Sequence, residues 1–221
     1  LPSPKIIMQA LAEVKPNIVI AVPLVIEKIY KTKVKPILEE EGIKFLMKVP
    51  GLDQIVLNKV KTELVNAFGG EFYEVIIGGA AFNKEVEAFF KRMGFPFTVG
   101  YGMTECAPII TYDDWKEEKL YSCGKVAPNM EIKIDSEDPH NISGEILVKG
   151  DNVFMGYYKN QEATNEVFTE DGWFRTGDLG AIAEDGWIFI KGRLKNMIVG
   201  PSGENIYPED IENVLNSHVF I

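Results

Sequence analysis

Strand-like and helix-like segments alternate through the first hundred residues, and that alternation restricts the fold more than anything else in the chain. Ile18, Val19, Ile20, Ala21 and Val22 form a short β-branched run that stops at Pro23. Residues 24–41 and 53–68 carry apolar side chains at helical spacing, with Gly42 and Gly69-Gly70 as stops. Residues 73–77 read as a second strand closed by Gly78-Gly79, and residues 95–99 as a third. Between these two strands, Asn83 is placed to cap a helix that carries Val86, Phe89 and Phe90 on one face and ends at Gly94. Strand, helix, strand in this order argues for a largely parallel sheet covered by helices.

After Tyr112 the character changes. Short alternating strands are expected at 131–134, 144–148 and 187–190, with Asp171-Gly172 and Asp185-Gly186 as turns. Beyond Lys195, a Gly-Pro-Ser-Gly stretch and a helix over 208–218 look like the start of another domain. The expected class is α/β: a helix-covered parallel sheet over 1–112, a small antiparallel sheet or distorted barrel over 113–193, then a hinge and a truncated C-terminal domain over 194–221. The chain begins at Leu1 without a methionine and stops at Ile221 directly after that helix, so an internal fragment of a longer protein is expected.

Composition narrows the function. The net charge is -10, from 23 basic and 33 acidic residues. A generally acidic surface repels phosphate backbones and argues against nucleic acid as a partner, though not against a nucleotide held by a few local donors. Cys106, Cys123, His140 and His218 lack zinc-site spacing, and the cysteines read as buried small hydrophobes or idle thiols in a reducing compartment. The longest apolar run, 17–26, is interrupted by Pro23 and falls short of the ~20 residues of a membrane helix. With no basic-then-apolar leader pattern either, a cytoplasmic location is expected.

Three clusters place turn glycines beside groups able to handle a nucleotide. Gly100-Tyr101-Gly102-Met103-Thr104-Glu105 follows a strand, where ligands gather in open α/β sheets. Its ring, hydroxyl and carboxylate suit a base, a phosphate and Mg²⁺, although a glycine turn with a surface acid fits as well. In Trp173-Phe174-Arg175-Thr176-Gly177-Asp178, the aspartate has two oxygens for two ribose hydroxyls, but Asp is also common at a β-turn. Gly192-Arg193-Leu194-Lys195 offers forked donors to phosphate or ribose, followed by a loop able to act as a hinge or simply as a loop. Gly78-Gly79-Ala80-Ala81 admits close approach by a ligand or by a packed helix.

In order along the chain, Gly-Gly-Ala, Tyr-Gly-Met-Thr-Glu, Gly-Glu-Ile-Leu-Val-Lys-Gly, Gly-Tyr-Tyr-Lys-Asn, Trp-Phe-Arg-Thr-Gly-Asp and Gly-Arg-Leu-Lys resemble the adenylate-forming superfamily of acyl-CoA synthetases, luciferases and peptide-synthetase adenylation domains. The segment from Ala21-Val22-Pro23 to Glu27-Lys28-Ile29-Tyr30, and Gly124-Lys125-Val126-Ala127-Pro128-Asn129, look like the long-chain fatty-acid branch. The resemblance implies that Tyr101 and Gly102 belong to the nucleotide site, with the Tyr101 ring stacked on adenine. It implies further that Thr104 contacts the α-phosphate, Glu105 helps hold Mg²⁺, Asp178 binds the ribose hydroxyls and Arg193 contacts ribose or phosphates. Lys195 sits at the family's interdomain hinge, and Gly78, Gly79 and Ala80 border adenine and the acyl chain. Ala81 stands where the family usually has proline, which puts local loop geometry in doubt.

The implied activity is that of a long-chain fatty acid–CoA ligase. A fatty carboxylate and ATP give an acyl-adenylate and pyrophosphate, and coenzyme A then takes the acyl group and releases AMP. The family's Ser/Thr/Gly-rich phosphate loop and its catalytic lysine have no counterpart in these 221 residues. The chain by itself is therefore expected to be inactive, to belong to a parent whose peripheral contact with a membrane stays open, and to self-associate through a cut sheet edge near Ile18 or Tyr73. A non-catalytic nucleotide-binding module and an amino-acid-activating adenylation domain are the rival readings.

Overall fold

The computed structural model describes residues 4–202 and 205–217. The chain divides into two compact units, Leu1–Thr98 and Val99–Ile221. Tyr112 ends a strand of the second unit, Ile109–Tyr112.

The first unit runs α1 (Pro4–Val14), β1 (Ile18–Ala21), α2 (Pro23–Ile29), a π-helical turn (Tyr30–Val34), α3 (Lys35–Glu39), α4 (Glu41–Leu46), α5 (Leu52–Ala67), β2 (Glu74–Ile77), α6 (Lys84–Met93) and β3 (Phe97–Val99). Its sheet has the order β1-β2-β3, and β1 and β2 pair in parallel from Ile18↔Glu74 to Ala21↔Ile77. The single helix expected over 24–41 is interrupted. Pro36 has no N–H to donate, so the ladder slips by one residue and the Lys35 N–H bonds the Tyr30 carbonyl. The helix stops at extended Glu40 rather than at Gly42, which lies inside α4.

Rings dominate this interior. Phe90 and Phe95 lie 4.9 Å apart, Phe90 and Phe97 5.8 Å, and Phe68 and Phe95 5.9 Å, mostly edge-on or tilted. Such pairs add ~0.5–1.5 kcal/mol each beyond area burial. α6 delivers Val86, Phe90 and Met93 to that core on one face. Its start is set by Asn83, whose side-chain oxygen accepts from the Glu85 and Val86 N–H groups at 3.0 and 3.1 Å.

The second unit holds β4 (Tyr101–Gly102), β5 (Ile109–Tyr112), β6 (Lys125–Val126), β7 (Met130–Asp135), β8 (Gly144–Gly150), α7 (Gln161–Val167), β9 (Phe174–Ile182), β10 (Ile188–Arg193), β11 (Ile198–Val199), β12 (Asn205–Ile206) and α8 (Pro208–Ser217). Three antiparallel sheets result, ordered β4-β5-β6, β10-β9-β8-β7 and β11-β12. Cys106, Ile110, Met130, Ile134, Ile146, Val148 and Phe174 form the buried centre. Asp171-Gly172 and Asp185-Gly186 form turns, with Gly172 and Gly186 donating to the Thr169 and Ala183 carbonyls at 2.9 Å.

Helices α1, α4 and α7 and strands β4, β5, β6, β9, β11 and β12 have no counterpart in the sequence expectations. β9 escapes because its period-2 pattern is written in polar letters: Phe174, Thr176 and Asp178 face inward while Arg175 and Gly177 are only half-buried. Asp178 therefore sits inside a strand, not at a β-turn.

Candidate functional site

Local chain geometry in β8 and β9 presents Asp178. The register between the two strands shifts between Glu145 and Leu147. Opposite that irregularity, Gly177 adopts φ 71°, a conformation that costs a side-chain-bearing residue ~1–2 kcal/mol. Glu145 braces the kink from both sides: its Oε1 accepts from the Gly177 N–H at 3.2 Å and its Oε2 from Arg175 at 2.7 Å. The Thr176 hydroxyl donates to the Ile146 carbonyl at 2.8 Å and accepts from the Asp178 N–H at 3.1 Å.

Asp178 is 5% exposed, and both carboxylate oxygens are engaged. Its Oδ2 accepts from the Tyr101 hydroxyl at 2.7 Å, across 77 residues of chain. Its Oδ1 lies 2.9 Å from Nε of Arg193, the residue directly opposite it in the β9–β10 ladder. Three residues of three different strands thus meet at one carboxylate. Burial pushes the Asp178 carboxyl above the usual carboxylate range, against the pull of Tyr101 and Arg193. Burial, with the Asp178 charge beside it, also raises the Tyr101 phenol far above its ordinary value, so that group remains a proton donor.

Tyr101 is aimed by the loop that follows it. A Cβ on Gly102 would stand 1.8 Å from the Pro108 carbonyl oxygen, so only glycine lets the chain return this closely. Met103 N–H bonds that same oxygen at 2.8 Å. Asn152 staples the loop by donating its amide to the Cys106 and Ile109 carbonyls at 2.7 and 2.8 Å. Burial raises the Cys106 thiol to about 11, which fits the packing role expected of it.

Thr104 and Glu105 begin a 3₁₀ turn, Thr104–Cys106, at the loop's tip, with Thr104 exposed. The Tyr157 hydroxyl donates to Glu105 Oε1 at 3.2 Å, and the Tyr157 ring packs edge-on against Phe154 at 4.9 Å. Lys195 lies exposed in the turn Leu194–Asn196. Gly78, Gly79 and Ala80 belong to the first unit, just past the C-terminal end of β2, where the Gly78 N–H bonds the Ala21 carbonyl at 3.1 Å.

Tyr101 and Arg193 thus each contact Asp178 directly. Glu105 keeps its own partner, Tyr157, and no group of three or more His, Cys, Asp or Glu side chains able to hold a metal occurs among the described residues. Glu145, Asn152 and Tyr157 do structural work here that the sequence reading did not assign. Two of them, Glu145 and Tyr157, lie within motifs already singled out, which was the available signal.

A model of the family described as AMP-binding enzyme matches residues 1–158. The long-chain-fatty-acid–CoA ligase FadD15 of Mycobacterium bovis is 32% identical over 98% of this chain and 38% of its own length. The 2-succinylbenzoate–CoA ligase of Bacillus subtilis is 39% identical over 65% of this chain and 30% of its own length. Among solved structures, O-succinylbenzoate coenzyme A synthetase from Bacillus subtilis in complex with AMP superposes with a TM-score of 0.74 at 26% identity, covering 98% of this chain and 39% of that one. This chain therefore spans under two fifths of the length of those curated relatives.

Proposed function

This chain belongs to the AMP-binding enzyme family, and we propose on that premise that it carries the nucleotide-binding part of an AMP-forming ligase joining a long-chain fatty acid to coenzyme A. The observation that carries the reading is the convergence of Tyr101, Asp178 and Arg193. An ionised carboxylate offers about four acceptor positions, so Asp178 can serve both neighbours and still receive two ribose hydroxyls. The Tyr101 ring, tethered through its hydroxyl, is the surface for adenine, with Gly102 beside it. Arg193 supplies fixed positive charge near ribose and α-phosphate, and Thr104 a hydroxyl for that phosphate. Lys195 takes the place of the interdomain hinge.

Glu105 fits a site for Mg²⁺ of the kind that uses one or two carboxylates plus substrate phosphates, since Tyr157 engages only one of its oxygens. When bound, the ion would supply charge neutralisation at the phosphates. The residues of this chain hold the adenylate and orient it, and Tyr101 keeps its proton throughout. An acyl carboxylate displaces pyrophosphate from ATP, and the coenzyme A thiol then displaces AMP from the acyl-adenylate.

These 221 residues hold no counterpart of the superfamily's phosphate loop or cationic lysine, so the chain alone is inactive under this reading. The test is ATP–pyrophosphate exchange by the longer parent protein with fatty acids of several lengths, beside the same assay on this chain. Exchange dependent on long-chain acids by the parent, and none by the chain, is the expected result. A parent that responds instead to 2-succinylbenzoate would move it to a second reading, favoured by the 39% identity to the Bacillus subtilis ligase of that acid. Exchange driven by an amino acid would overturn both, as would a parent that binds nucleotide without any exchange.

A further inference from the structure

Glu209, in the first turn of α8, faces back toward the end of β10. Its Oε1 accepts from the Asn196 side-chain amide at 2.8 Å and, more loosely, from the Arg193 backbone N–H at 3.4 Å. The two donors lie on either side of Lys195. The other oxygen, Oε2, is buried with no hydrogen-bond partner among the described residues. It reaches that position because residue 192 has no side chain: a Cβ there would lie 2.6 Å from Oε2 and 3.1 Å from the carboxyl carbon.

Arg193 is therefore held at both ends. Its backbone N–H is tied to Glu209, and its guanidinium to Asp178 Oδ1 at 2.9 Å. The arginine side chain is 61% exposed, and an exposed ion pair gains little when a long, freely rotating side chain must be ordered to make it. Anchoring the backbone beneath it removes part of that ordering cost before any ligand arrives. Burial works against the charge on Glu209, yet the donors from Asn196 and Arg193 outweigh it and hold the carboxyl below the usual range, so the anchor is anionic at neutral pH.

We propose that Glu209 is a positioning residue: it fixes the turn from Arg193 to Asn196 so that the Arg193 guanidinium is delivered to Asp178. The consequence for nucleotide rests on the reading of Asp178 given above, whereas the anchoring itself does not.

Two readouts separate these. Hydrogen exchange at the amides of 193–197 is compared among the wild-type chain, Glu209→Ala, Glu209→Asp and Glu209→Gln. Glu209→Ala and the shorter Glu209→Asp should each speed exchange there by about tenfold, the loss of about one hydrogen-bonded anchor, while β8 and β9 keep their protection. Glu209→Gln retains an acceptor oxygen and should stay near wild type. In the longer protein, Glu209→Ala should raise KM for ATP more than it lowers kcat, and Glu209→Gln should restore KM. Unchanged exchange at 193–197 in both Glu209→Ala and Glu209→Asp would overturn the proposal, as would a Glu209→Gln variant as exposed as Glu209→Ala. If exchange behaves as expected but a non-hydrolysable acyl-adenylate analogue shows no affinity for the wild-type protein, the anchoring stands and the nucleotide reading of Asp178 fails.

Discussion

The two compact units solve the problem of an interior in different ways. Between α6 and the parallel sheet, the first unit packs ring against ring, with Phe90 touching Tyr30, Phe82, Phe95 and Phe97. The second unit has an apolar centre too, but its longest strand places Thr176 and Asp178 at interior positions between Phe174 and Leu179. A buried phenylalanine stabilises wherever it fits. A buried carboxylate is tolerated only when neighbours satisfy it, because desolvating a charge is expensive. The contrast teaches that β9 carries a buried carboxylate whose environment had to be built around it, as the role proposed for Asp178 requires.

The contrast can be broken or sharpened by substitution. Phe90→Ala should produce the largest loss, about 3–5 kcal/mol of stability for the first unit, read from urea unfolding. A loss below about 1 kcal/mol would mean that the ring cluster is not the core it resembles. Asp178→Asn should act the other way. It keeps shape and an acceptor for Tyr101 but loses the charge, so affinity for a non-hydrolysable acyl-adenylate should fall by roughly 10–100-fold, measured by calorimetry.

Stability should respond to the same change with a definite sign. Because the Asp178 carboxyl is raised in the folded chain, the fold holds more proton than the unfolded chain between the ordinary aspartate range and that raised value. Wild-type stability therefore drops as pH rises through that window, and the Asn variant escapes the drop. Urea midpoints should favour Asp178→Asn over wild type at pH 7 and converge at pH 4; an Asn variant less stable at pH 7 would contradict the burial argument.

Tyr101→Phe should cost about 1–2 kcal/mol in thermal unfolding, since it leaves a buried carboxylate oxygen without its donor. A neutral outcome would mean that water reaches Asp178 freely. The smallest effect belongs to the helix-covered unit: Asn83→Ala removes the cap of α6 and should cost about 1 kcal/mol, again by urea unfolding.

Light scattering of the chain gives a further check on surface behaviour. β1 is an outer strand of the sheet, and Ile20 on it is 81% exposed. Self-association weakened by Ile20→Lys would agree with an exposed sheet edge.

Much was legible in advance because it was local. Asn83 before an amphipathic stretch identifies a helix start, and Gly-Tyr-Gly-Met-Thr-Glu and Trp-Phe-Arg-Thr-Gly-Asp identify the family without coordinates. Other features were hidden for equally physical reasons. Pro36 sits within a helical pattern whose apolar spacing is sound, and only the hydrogen-bond ladder shows the π-turn. β9 conceals its strand period behind threonine and aspartate. Glu209 is one acid among 33, and nothing in its neighbours along the chain distinguishes it.

Residue order alone determined the α/β class, the family and the short motifs, since spacing and turn chemistry act over a few residues. Tertiary structure decided the partners of those motifs: that the Tyr101 hydroxyl reaches Asp178 across 77 positions, that Arg193 stands opposite it in the ladder, and that a carboxylate from α8 fills the gap left by Gly192. Long-range contacts of this kind depend on strand register and on which side chain is absent, and both are set only when the sheets close.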